Sequence, residues 1–357
     1  MKILYISTRI DGSGGLQRSL SVRLNHLAKI GYEIYLLTTN SENLPIYFPL
    51  DKRIIQIDRQ NVSDLFSYKK LIQTTYKEIN PDLVIVTDNG LKGFLIPFLI
   101  PENAKTVYEL HSTKDQLITD NNKLFGILGI SKILISISSK KFNAFIVLSK
   151  NEARKWNLKN LYVIPNPITI PNSKQSSLQN KKVIFVGRLK LVKGVDFLIQ
   201  IWDKVNQKHP DWTLEVYGEK FSEFDIQKTI NEKGLGNSIF VHEPVSEIEE
   251  KYSEASIFLM TSRIEPFGLV LTEAMSCGLP CVSFDAPTGP SSIIENEHNG
   301  FLISCFDIEL FSTKVIELIE NENLRIQMGK NAKKSSEKYN REKIMQQWIM
   351  LYNKVIN

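Results

Sequence analysis

Ser262-Arg-Ile-Glu-Pro-Phe-Gly-Leu-Val-Leu-Thr-Glu-Ala-Met-Ser-Cys-Gly278 reads as a short turn feeding a helix, with carboxylates at Glu265 and Glu273. Ahead of it, Ala255-Ser-Ile-Phe-Leu-Met260 is a dense apolar run of the kind that forms a buried strand. Pro266-Phe267-Gly268 predicts the turn, so the helix opens near Gly268 and Leu269 with its first amides unpaired. Unpaired amides and the positive end of the helix dipole together make a socket for an anion. Glu273 follows Gly268 by about 7.5 Å along the axis at 1.5 Å per residue, roughly the reach from a diphosphate to the hydroxyls of a nucleotide ribose. Glu265 stands before the turn, on the side toward which the far phosphate and its substituent would project.

Outward from this stretch, the second half of the chain repeats a strand, loop and helix layout. Lys182-Val-Ile-Phe-Val-Gly-Arg-Leu189 is a strand ending at Gly187 and Arg188, and a helix is expected to begin near Lys193-Gly194. A lysine at a helix start opposes the dipole. An anion held between Arg188, Lys193 and the helix amides turns that cost into an advantage, because guanidinium and ammonium groups suit paired phosphates. Further strands are expected at Trp212–Tyr217, ending beside Gly218, and at Ser238–His242, Ile257–Thr261 and Pro280–Phe284. Ser246 reads as a helix N-cap with Glu249 at the capping-box position.

Glu265-x7-Glu273 with Phe267-Gly268-Leu269 between, joined by Arg188-Leu189-x3-Lys193-Gly194, resembles the signature of the family 4 retaining glycosyltransferases. That resemblance implies the GT-B architecture: two facing Rossmann-like, doubly wound parallel-sheet α/β domains, with a C-terminal helix crossing back to the first. It implies that Arg188 and Lys193 grip the donor diphosphate, that Glu265 holds hydroxyls of the donor sugar and that Glu273 holds those of the ribose. It also implies transfer with retention by front-face substitution, in which the leaving phosphate helps deprotonate the acceptor hydroxyl. Two departures stand out. Pro167 follows Asn166 where a glycine is common, and Ser292 stands where related bacterial enzymes with a Pro-Thr-Gly-Pro-Ser loop, here Pro287–Ser291, often carry a glutamate.

The first half fits the same plan. Lys2–Thr8 is a short strand, Asp11-Gly-Ser-Gly-Gly15 a flexible turn, and Leu16–Ile30 a helical run, in outline a phosphate cradle. The spacing is not G-x-G-x-x-G, and no acidic residue ends the following strand Tyr32–Thr39, so a dehydrogenase reading loses support. Gly14 and Gly15 match a glycine pair that family 4 enzymes pack against donor phosphates and acceptor. His111 ends the strand Thr106–His111, where ligands of such sheets bind, and resembles the histidine that the family places beside the donor sugar.

With 357 residues, 42% hydrophobic and 23% charged, the chain has the composition of an ordinary two-domain globular protein. The expected division is 1–170 (acceptor side), 171–180 (a polar, proline-bounded linker), 181–339 (nucleotide sugar) and 340–357 (the crossing helix). A net charge of +5 suits anionic substrates or an anionic membrane surface without demanding nucleic acid, which is not an expected partner. The three cysteines lack paired spacing and read as free thiols. There is no Asp-x-Asp and no metal-spaced cluster, so neither a metal nor a cofactor is expected. The chain enters a strand at once, and a cytoplasmic location is the expectation, with the cytoplasmic face of the membrane open. Leu117–Phe142 mixes Ile, Leu and Phe with lysines, and reads either as a core-facing helix or as a surface resting on a membrane. Gly93–Pro101 is similarly apolar and interrupted by Pro97.

The function expected is metal-independent transfer of a hexose or N-acetylhexosamine from a nucleoside diphosphate sugar, UDP by default. The acceptor would be a growing, lipid-linked glycan of a bacterial surface polysaccharide, such as lipopolysaccharide or capsule. The alternatives are a sugar-nucleotide epimerase or disaccharide phosphorylase of the same fold, and an inert nucleotide-sugar-binding scaffold.

Overall fold

A computed structural model describes the chain except for residues 41–45, 60–61, 63, 88–89, 126–129 and 170–174, and the side chains of 120–125 and 130. The chain divides into two compact units, Met1–Pro167 with Glu342–Asn357, and Ile168–Arg341.

The first unit is built on seven strands: β1 (Lys2–Ser7), β2 (Glu33–Thr38), β3 (Ile55–Asp58), β4 (Leu83–Val86), β5 (Thr106–Glu109), β6 (Ala144–Val147) and β7 (Leu161–Val163). They pair in parallel in the order β3-β2-β1-β4-β5-β6-β7. Such strands are buried on both faces and so read as continuous apolar runs; Leu83-Val-Ile-Val86 and Ala144-Phe-Ile-Val147 are buried at every position. The order reverses between β1 and β4, the switch point at which ligands of doubly wound sheets bind. Helix Arg341–Ile356 lays Ile344, Met345, Trp348, Leu351, Tyr352 and Val355 into the core formed with Ile3, Tyr5, Leu20 and Leu24. The crossing helix expected from the sequence therefore completes the first core.

The second unit has β8 (Lys182–Val186), β9 (Thr213–Tyr217), β10 (Ile239–His242), β11 (Ile257–Met260), β12 (Cys281–Phe284) and β13 (Gly300–Ile303). Their order is β10-β9-β8-β11-β12-β13, again all parallel, with the reversal between β8 and β11. Two of its helices are capped as their sequences dictate: Asp307 accepts from Leu310 N at 2.9 Å and Asn321 from Leu324 N at 3.0 Å. The helix expected to start at Ser246 is not. It runs Ile248–Glu254 from an N-cap at Glu247 with no side-chain cap bond, because burial of Ile248 and Tyr252 on one face fixes where it begins.

Of the expected linker 171–180, residues 171–174 lie outside the described residues. Ser176 N bonds Cys277 O at 2.9 Å and Asn180 Nδ2 bonds Glu254 O at 2.9 Å, so this part packs on the second unit. The stretch 117–142 contains two helices, Lys114–Phe125 and Ile130–Lys141, with 126–129 outside the described residues. Helix Leu91–Leu99 carries Pro97 within it. Among the described residues no helix is long and apolar enough to cross a membrane.

Candidate functional site

In the second unit the expected residues gather at the C-terminal ends of β8 and β11. After β8, Gly187 N still bonds Tyr217 O at 3.0 Å, and Gly218 N bonds His242 O at 3.1 Å. A Cβ on Gly218 would come 1.8 Å from Gly187 O, so the two chains pass as closely as glycine permits. Arg188 is exposed and has no ion-pair partner among the described residues. The loop then makes a single 3-10 turn, Leu191–Lys193, and Gly194 at φ +68° turns it into helix Val195–Lys208. Thr261 at the end of β11 donates to Lys193 O at 3.1 Å and Gly194 O at 2.9 Å, pinning this turn against the sheet. Arg263 braces it from outside: its guanidinium meets Asp196 at 2.7 Å, bonds Leu191 O and lies 4.0 Å over the Phe197 ring.

Lys193 thereby reaches Glu265, with Nζ 2.7 Å from Oε2, and Ser262 Oγ donates to the same oxygen at 3.2 Å. Glu265 is 8% exposed. Its backbone carbonyl accepts from Gly289 N at 2.9 Å, and a Cβ on Gly289 would meet Phe267 O at 2.4 Å. The Pro-Thr-Gly-Pro-Ser loop thus lies directly on the Glu265–Phe267 turn. Thr288 Oγ1 closes it on Pro266 O at 3.3 Å.

Gly268 at φ +97° starts helix Leu269–Ser276 and supplies no side-chain cap. The first i to i−4 bond is Thr272 N to Gly268 O at 3.4 Å, and Leu271 N reaches the same carbonyl at 3.0 Å, so the amides of Leu269 and Val270 lie ahead of the ladder. Phe267 is buried with its ring edge-on to Tyr339 at 5.6 Å. Glu273 is 5% exposed, and Tyr252 Oη donates to its Oε2 at 3.4 Å.

In the first unit Gly14 and Gly15 open helix Gly15–Lys29, with Gly14 at an ordinary φ of −75°. The left-handed residue of this turn is Gly12, at φ +90°. His111 lies two residues past Glu109, the last residue of β5, with Nε2 3.1 Å from Glu109 Oε2. Arg23 Nη2 approaches the same oxygen at 2.6 Å, and both side chains are 1% exposed. Burial pushes the His111 pKa down, against the pull of Glu109. Burial also works to raise that of Glu109, but the Arg23 charge and the His111 hydrogen bond outweigh it and hold the carboxyl below its usual range. Nothing local in the sequence pairs Arg23 with Glu109, or Gly289 with Glu265; these partners come from a distant segment and a neighbouring loop, whereas Ser262 stands only three residues before Glu265.

Two all-parallel doubly wound sheets, with glycine-lined turns and a carboxylate–lysine pair at the strand ends of the second, give the chain the GT-B fold. The family model for glycosyl transferases group 1 matches residues 168–335, essentially the whole second unit. An uncharacterized glycosyltransferase of Haemophilus influenzae is 28% identical over 97% of this chain and 98% of its own length. The amylovoran biosynthesis glycosyltransferase of Erwinia amylovora is 26% identical over 99% of both chains. Among solved structures, S. aureus TarM in complex with fondaparinux, alpha-GlcNAc-glycerol and UDP superposes with a TM-score of 0.79 over 99% of this chain and all of that one, at 19% identity.

Proposed function

We propose that the chain transfers a hexosyl or N-acetylhexosaminyl group, with retention and without a metal, from a UDP-sugar to a growing glycan of a bacterial surface polysaccharide. The observation that carries this reading is the Lys193–Glu265 pair, held beside the helix start at Gly268 within the unit that the family model covers. The pair has a mechanistic consequence. A diphosphate carries more charge than one carboxylate and draws the Lys193 ammonium to itself, which frees Glu265 Oε2 to accept from hydroxyls of the donor sugar. Arg188 and the amides of Leu269 and Val270 complete the anion site, so the charge of the departing nucleoside diphosphate is met electrostatically. Glu273 is assigned the ribose hydroxyls, Gly187 and Gly218 the close backbone approach to the nucleotide. His111 is assigned a hydroxyl of the transferred sugar, and the turn at Gly14 and Gly15 the acceptor side. The UDP in the TarM crystal supports uridine as the base, and the amylovoran enzyme supports a polysaccharide product.

We further infer that the acceptor is lipid-linked and met at the cytoplasmic face of the membrane. Ile133 (59% exposed) and Ile137 (49%) on helix Ile130–Lys141, and Phe98 (46%) on helix Leu91–Leu99, face outward. Lys132, Lys140 and Lys141 flank them, Lys141 lying over the Phe98 ring at 5.2 Å, and neither helix carries an acidic residue. Apolar anchors among uncompensated lysines match an anionic bilayer.

The test is to offer UDP-, GDP- and ADP-sugars in a thermal-shift screen and follow product with and without a glycan acceptor. A UDP-sugar is expected to stabilise the protein and be slowly hydrolysed, and Glu265→Ala and Lys193→Ala are each expected to cut turnover by about 100-fold or more with the fold kept. Wild-type turnover in either variant, or an epimerised sugar as the product without acceptor, refutes the reading.

A further inference from the structure

The first unit buries an ion pair that stability does not explain. Arg23 and Glu109 are both 1% exposed, with Nη2 2.6 Å from Oε2. Among the described residues, Arg23 Nε and Nη1 and Glu109 Oε1 have no hydrogen-bond partner, and Nη2 makes only the ion-pair contact. A buried pair left short of hydrogen bonds is usually less stabilising than apolar side chains of the same volume. The surroundings are apolar and aromatic: Trp348 stacks beneath the Arg23 guanidinium at 4.8 Å, and the Tyr5 and Tyr352 hydroxyls, bonded to each other at 2.9 Å, are the other titratable groups facing the pair. At the strand end the pair meets His111, whose Nε2 is 3.1 Å from the same Glu109 oxygen that Arg23 approaches.

This arrangement dictates the state of the ring. Arg23 is charged at every relevant pH and keeps Glu109 ionised, so Oε2 can only accept a hydrogen bond. His111 Nε2 must therefore donate, which makes Nδ1 the acceptor nitrogen of the imidazole. A second proton on the ring is opposed by burial and by the nearby Arg23 charge.

We propose that Arg23 and Glu109 are a positioning pair that fixes His111 as a neutral imidazole protonated on Nε2, with Trp348 holding the arginine in register. Its catalytic consequence rests on the assignment of His111 to the transferred sugar: a ring in this state has no proton on Nδ1 to lend to it. The tautomer itself does not depend on that assignment.

The experiment uses the full chain labelled with 15N-histidine, with His111 assigned from the signal lost in His111→Gln. Two-bond proton–nitrogen correlations are expected to show His111 neutral and protonated at Nε2 from pH 8 down to pH 6. Glu109→Gln alone strands the Arg23 charge and can cost the fold, so the informative variant is Arg23→Met with Glu109→Gln, which removes both charges at similar volume. In that variant the tautomers are expected to mix and kcat to fall by about 10-fold or more, as when the outer partner of a functional histidine is lost, with the melting midpoint little changed. A ring protonated at Nδ1 or doubly protonated at pH 7 in the wild type overturns the proposal; so does a wild-type signature in the double variant. If His111→Ala turns over normally while the wild-type signature holds, it is the sugar assignment that fails and the pair that stands. Should the double variant not fold, the wild-type spectrum decides alone.

Discussion

A methyl group at Gly194 would sit 1.8 Å from Thr261 O, on a backbone already at φ +68°. Left-handed backbone at a residue other than glycine costs about 1–3 kcal/mol, and the clash with a strand-end carbonyl adds to it. Gly194→Ala is therefore expected to lower the urea midpoint of the protein measurably and to displace Lys193 from Glu265. Gly14→Ala is the control: its φ is −75° and its new methyl meets only the movable Gln17 side chain. Equal urea midpoints in the two variants would contradict this account. The same contrast shows what single residues disclosed in advance. Lys193, Gly194, Glu265 and Gly268 were readable because a turn, a helix start and a short interval place them, all within local sequence. The glycine pair at Gly14 and Gly15 was also conspicuous, but the residue in the unusual conformation is Gly12. Arg23 carried no signal at all. Only the folded sheet brings it against Glu109, and a lone arginine in a helix looks like any solvated one.

Elements were legible where burial on two faces makes a strand continuously apolar, which is why β1, β4, β8 and β11 stand out from composition alone. They were less so where periodicity is interrupted. The apolar-basic stretch 117–142 comprises two helices, and only on the second can the outward face be described. Seen there, Ile133 and Ile137 lie one turn apart on the side opposite the buried Ile135 and Ser138, so this helix is both core-facing and outward-apolar. Each lysine near an anionic bilayer contributes about 1 kcal/mol. Replacing Lys132, Lys140 and Lys141 with Gln should thus weaken cosedimentation with phosphatidylglycerol vesicles on the order of 100-fold. High salt should do the same to the wild type, and neutral phosphatidylcholine vesicles should bind poorly from the start. Unchanged binding to anionic vesicles in the triple variant would remove the membrane from the picture.

At the scale of the molecule, the fold class followed from two repetitions of strand, glycine turn and helix. Where the chain passes between units was harder to see, because the segment around 171–180 is polar and proline-bounded yet partly packed. The structure shows the second unit entered and left at one place: Ile168 pairs with Asn340, its N–H donating to Tyr339 O and its carbonyl accepting from Arg341 N, both at 2.9 Å. Residues 168–341 are therefore expected to fold alone, unfolding cooperatively and binding UDP. Residues 1–167 are not. They lack Ile344, Met345, Trp348, Leu351, Tyr352 and Val355, each worth about 1.5–3 kcal/mol when buried against a domain stability of about 5–15 kcal/mol. Circular dichroism and denaturation of the two fragments check this; a stable 1–167 fragment would show that the helix is dispensable.

That return of Glu342–Asn357 to the first unit also sets an order of events on the ribosome. The half of the protein made first must wait, its core open along one side, while the whole of the second half is synthesised and can close on itself. A transcript cut short just after Arg341 would release a finished second unit tethered to an unfinished first one, so a late nonsense mutation should be felt in the half translated earliest.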